Sequence, residues 1–169
     1  MDGSFAVLTI VLGLWDMYFN HCPTTCLARQ DQASYLTISN GSLWQHERQI
    51  GTETYIRLDT GRFYGPFELT YGASLSSLND LWGGAGVIYD IPTRWDNAFF
   101  KLHAMGGLYA PGDGPPLGGP IEFRSGIEAG WETENGWRYA WSFDHRSSAG
   151  IYPSSIGVET FMFRLSIPF

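Results

Sequence analysis

From residue 34 onward apolar and polar positions alternate with a period of two. The alternation is broken at intervals by clusters of Gly, Pro, Asn and Ser. A period of two marks a β-strand with one apolar and one polar face. Eight runs of this kind span 34–44, 50–59, 63–75, 82–92, 98–110, 121–133, 137–147 and 157–169. Most approach the roughly 9–11 residues that a tilted membrane-crossing strand needs. No helical period of 3.6 persists after residue 30, and no linker or low-complexity tract divides the chain. The pattern predicts one all-β domain over 29–169, an eight-stranded antiparallel transmembrane β-barrel.

The last two runs carry the candidate chemistry. Trp137, Tyr139, Trp141, Phe143, His145 and Ser147 share one parity, and Arg138, Ala140, Ser142, Asp144 and Arg146 the other. After a turn-rich segment, Glu159, Phe161, Phe163, Leu165, Ile167 and Phe169 share a parity against Thr160, Met162, Arg164 and Ser166. Residues two apart on one strand face are about 7 Å apart at Cα, so the tips of His145 and Ser147 can meet. In a hairpin, Glu159 falls beside His145 on the same apolar face. Ser, His and Glu are the nucleophile, base and orienting acid of acyl transfer. Taken singly, each has a plainer role as a rim polar residue or a loop opener. An ionisable Glu on a lipid-facing parity, however, is costly without a partner.

The connections alternate in length. Residues 60–62, 92–97 and 134–136 are short links, and Asn135-Gly136 is a strong hairpin turn. The links at 45–49, 75–81, 110–120 and 148–156 are read as the loops of the other end. Short turns at one end and longer loops at the other are the habit of outer-membrane barrels. An even strand number puts both termini on the periplasmic side and His145, Ser147 and Glu159 at the outer end.

Composition agrees with a membrane barrel. Charged residues make up only 16% of the chain and aromatics another 16%, with 21 glycines and Lys101 as the one lysine. The outer wall of a membrane barrel must be apolar, while Arg138, Asp144, Arg146 and Arg164 fit a polar interior. In a soluble barrel the aromatic stripe would be a large exposed apolar patch. A net charge of −7 without a basic cluster speaks against a nucleic-acid partner.

The N-terminal stretch Phe5 to Trp15 is apolar but only eleven residues long, too short for a spanning helix. It fits the apolar region of a secretory leader, with small residues near Cys26-Leu27-Ala28, although Asp2 replaces the usual basic start. Residues 1–28 are therefore expected to be an atypical signal peptide. Cys22 and Cys26 both fall in it, and neither a disulfide framework nor a cysteine metal site is expected to support the fold. His21, His46, His103 and His145 lack metal-ligand spacing, and His103 is assigned no role. Gly83-Gly84-Ala85-Gly86 reads as barrel strand, not phosphate loop. No metal and no cofactor are expected.

His145-Arg146-Ser147-Ser148, with Glu159 twelve residues after the serine, resembles the outer-membrane lipid A 3-O-deacylases of the PagL type, the acyloxyacyl hydrolase group. The resemblance runs from about Phe143 to Phe169. It implies an eight-stranded barrel integral to the bacterial outer membrane, with His145, Ser147 and Glu159 as a catalytic triad on the lipid-facing wall. The implied substrate is lipid A of lipopolysaccharide, met in the outer-membrane lipid. The implied reaction is hydrolysis of an ester-linked acyl chain at the 3-O position. Two positions depart from the family. Ser148 stands where the family has Asn, and Ser155-Ile156-Gly157-Val158-Glu159 stands where it has Asn-Pro-Gly-x-Glu. Those asparagines help line the oxyanion site, so Ser148 and Gly150 are the candidate donors here.

The alternative reading is a non-catalytic small outer-membrane barrel, structural or an inactive relative of the deacylases. Retention of all three triad residues favours the enzyme, and loss of the asparagines favours the alternative. A soluble lipid-carrying barrel is a third reading. A homodimer is as compatible with the sequence as a monomer.

Overall fold

In the computed structural model, which describes residues 3–153 and 156–169, the alternating runs close into a barrel. A short strand β1 (Arg29–Asp31) precedes β2 (Tyr35–Gln45), β3 (Arg48–Tyr64), β4 (Phe67–Ser76), β5 (Leu81–Ile91), β6 (Ala98–Ala110), β7 (Ile121–Glu132), β8 (Arg138–Ser147) and β9 (Val158–Pro168). Each of β2 to β9 pairs antiparallel with its neighbour, and β9 returns to β2. The eight-stranded barrel is therefore closed and leaves no sheet edge.

The parities fall as the alternation requires. Arg57, Arg124, Arg146 and Arg164 point inward and are at most 3% exposed. Each bridges two carboxylates of the interior. Arg124 reaches Glu53 and Asp144, Arg164 reaches Asp144 and Glu128, Arg146 reaches Glu53 and Asp80, and Arg57 reaches Asp59 and Glu128. Buried charges persist only when paired in this way. Toward the end that carries the β2–β3 and β8–β9 turns the interior turns apolar: Leu43, Tyr55, Trp82, Met105 and Met162 form a cluster with Leu117. Outward, Trp141 stacks on Phe161 with centroids 5.1 Å apart.

Two expectations need correction. Residues 60–62 are not a turn. They bulge within the long β3, where pairing shifts between Asp59 and Phe63. Gly61 has φ 65°, donates its N–H to Glu68 Oε1 at 2.8 Å, and has no room for a Cβ against Gln32 O. The bulge lets β3 run on far enough to pair with β1, and the chain reverses instead at Gly65 and Pro66. The link at 45–49 is no long loop either. It is a two-residue turn of His46 and Glu47, both at positive φ, the twist a tight hairpin favours. Cys22 and Cys26 are disulfide-bonded to each other, in the N-terminal segment and outside the barrel strands.

Residues before β1 form helix α1 (Ser4–Asp16), which continues as a wider π-type turn over Met17–His21. No helix among the described residues is long and apolar enough to cross a membrane. The helix lies on the outer wall over β5, β6 and β7. It turns its small face toward the wall, with Thr9 and Gly13 buried, and leaves Val7, Val11 and Trp15 exposed.

Candidate active site

Strand register brings the candidate residues together. His145 on β8 pairs directly with Glu159 on β9 and with Ser125 on β7. Trp44 on β2 lies on the far side of Glu159. The neighbouring inward residue Asp144 is held by Arg124 of β7 and Arg164 of β9. The interior charges thereby lock the three strands on which His145, Glu159 and Ser125 sit.

The outward side chains form a hydrogen-bonded relay. Glu159 Oε1 lies 3.2 Å from His145 Nδ1, and Ser147 Oγ lies 3.2 Å from His145 Nε2. With a carboxylate accepting at Nδ1, the proton resides there and Nε2 faces the hydroxyl as a base. His145 is 5% exposed and Ser147 9%, and the N-terminal end of α1 reaches this part of the wall. Phe5 packs edge-on to Phe143 at 6.1 Å.

Two grooves meet at the relay. One, of about 830 Å³, is lined by Ala104, Gly106, Phe123, Ser125 and Ser147, with Gly3, Ala6 and Val7 of the N-terminal segment along its side. The other, of about 840 Å³, lies toward β2 and takes in Trp44, Phe143, Glu159 and Phe161, with His46 and Glu47 at its rim. His145 and Gly157 line both. The nucleophile candidate opens on the first groove and the acid on the second.

The turn after β8 holds the remaining candidates. Ser148 is fully buried, whereas Gly150 is exposed at φ 77° with open space around its Cα. Between them Ala149 adopts φ 51°, rare for a residue with a side chain, and donates its N–H to Ser147 Oγ at 3.4 Å. Ala149, Gly157 and the His46-Glu47 turn carry no signal in the sequence, since their closeness to the triad arises from loop conformation and barrel closure. Of the turn-rich segment read before β9, Ser154 and Ser155 lie outside the described residues. His103 sits inside the barrel, 3.7 Å from Asp144 Oδ2 and away from the relay. Among the described residues no group of three or more His, Cys, Asp or Glu is arranged to hold a metal.

The model of the lipid A 3-O-deacylase (PagL) family matches residues 32–168. The chain belongs to that family. The match takes in every barrel strand from β2 to β9 and excludes α1 and β1. Among solved structures, the chain is similar to the outer-membrane enzyme PagL, with a TM-score of 0.60 and 19% identity over 80% of this chain and 99% of that one. It is similar also to a de novo designed transmembrane β-barrel, with a TM-score of 0.57 and 8% identity over 83% of this chain and 98% of that one. At such identities these likenesses concern the fold. No curated protein matches the chain in sequence. Within the PagL family's span, the relay occupies the outer wall of the barrel. Ser148 lies at the buried start of the turn.

Proposed function

We propose that the protein is an integral outer-membrane esterase that removes the 3-O-linked acyl chain of lipid A by a Ser/His/Glu mechanism. The observation that carries this reading is the relay at 3.2 Å and 3.2 Å on an outward-facing wall. Membership of the lipid A 3-O-deacylase family supplies the substrate class. His145 Nε2 takes the Ser147 hydroxyl proton as Oγ attacks the ester carbonyl. The tetrahedral oxyanion is received by the turn that holds Ser148 and Gly150. His145 then gives its proton to the sugar oxygen as the C–O bond breaks, leaving the chain esterified to Ser147. Water, deprotonated by His145, releases it as a fatty acid. Glu159 stabilises the imidazolium through both half-reactions.

A wall-mounted site suits this substrate. The acyl chain already lies in the bilayer, and the groove beside Ser147 offers it a floor of small residues, Ala104 and Gly106, flanked by Phe123. Residues 1–28 are read as a leader. In the mature enzyme the groove edge now contributed by Ala6 and Val7 is then free for lipid.

The second reading, an inactive barrel of deacylase descent, draws on Ser148 replacing asparagine. The deciding experiment is mass spectrometry of lipid A incubated with the purified protein and with Ser147→Ala and His145→Ala. Loss of one ester-linked chain with the parent protein, and none with either variant, is expected. Intact lipid A from the folded parent protein supports the inactive barrel. Undiminished release by Ser147→Ala rules out Ser147 as nucleophile.

A further inference from the structure

Gly157 lies just before β9 and two residues from Glu159. A Cβ built on it would stand 2.4 Å from His145 Cε1, 3.1 Å from Nε2 and 3.4 Å from Nδ1. The glycine therefore covers the edge of the imidazole that lies between its two nitrogens. Its φ is outside the left-handed region, unlike those of Gly136 and Gly150. Conformational freedom is not what this position requires; close approach of backbone to ring is.

We propose that Gly157 is a positioning residue for His145. The imidazole is tied at Nδ1 to Glu159 and at Nε2 to Ser147, and both ties are long for hydrogen bonds. The backbone of Gly157 lies against the ring edge between those two nitrogens. A methyl group at this position leaves the ring no place between its partners, so relief must lengthen one or both ties. Gly157 and His145 are also the two residues common to both grooves, so the same contact sets the passage between them.

This inference rests on the Ser/His/Glu reading, and its test separates the two. The full-length Gly157→Ala protein is purified in detergent beside the parent. Barrel formation is followed by heat-modifiable migration, kcat and KM by lipid A deacylation, and the reactivity of Ser147 by the rate of labelling with a small alkyl fluorophosphonate. That probe is small enough to need neither groove but does need an activated serine. The expected result is a folded barrel whose kcat falls on the order of 10²-fold, as misplacement of a catalytic group does. The labelling rate should fall in parallel, with KM within roughly two-fold of the parent. A raised KM with unchanged kcat and labelling would make Gly157 a groove wall and overturn the inference. Parent-like values throughout, or a chain that no longer forms the barrel, would overturn it too. If the parent is not labelled at Ser147 and Ser147→Ala still deacylates, the mechanism itself fails and Gly157 with it.

Discussion

Replacing Glu159 by Gln is the perturbation that most directly measures the relay. The amide keeps the shape and can still accept from Nδ1, but it removes the charge that faces the imidazolium. At the observed separation of 3.2 Å, a full charge pair is worth about 5 kcal/mol at an effective dielectric of ~20 and about 1.3 kcal/mol in bulk water. The Glu159 side chain is 24% exposed and His145 only 6%, so the site lies between these limits, and ~2–3 kcal/mol is a reasonable loss. Because the imidazolium exists only as the reaction proceeds, the loss should appear in kcat, as roughly 30- to 160-fold. The assay is the initial rate of acyl release from lipid A in detergent, followed by mass spectrometry, with heat-modifiable migration as the check on folding. Ser147→Ala, measured alongside, removes the nucleophile and should fall much further. Turnover by Glu159→Gln within about three-fold of the parent would refute the reasoning, since the carboxylate would then contribute nothing that a neutral amide does not.

Three other outcomes are expected. Ser148→Ala should lower turnover by about 10²-fold if its hydroxyl serves the oxyanion, with Ser148→Asn retaining activity or raising it; no change in either variant would leave backbone N–H groups such as that of Ala149 as the donors. Arg124→Leu removes the shared partner of Glu53 and Asp144 and should cost ~3–5 kcal/mol of barrel stability, read as a lower midpoint in urea unfolding from micelles. The protein should fractionate with the outer membrane, and its mature N-terminus, read by intact mass, should fall near residue 29; recovery from the soluble periplasm would contradict the membrane assignment.

The alternation alone carried most of the barrel. Arg57, Arg124, Arg146 and Arg164 share the inward parity because side chains on a strand alternate strictly. The pairing of His145 with Glu159 follows from a β8–β9 hairpin between two legible strands. Local signals served less well where tertiary contacts override them. Thr60-Gly61-Arg62 has turn chemistry but is a bulge, because Glu68 and β1 supply partners that keep β3 extended through it. The register in which β2 closes on β9, which sets Trp44 beside Glu159, joins segments more than a hundred residues apart and leaves no mark in a periodic pattern. The same holds for the fit of Gly157 against the His145 ring. Periodicity encodes which way a side chain faces, a property of its own strand. How close two faces come, and whether a methyl group fits between them, depends on the packing of strands and loops that only the closed barrel brings together.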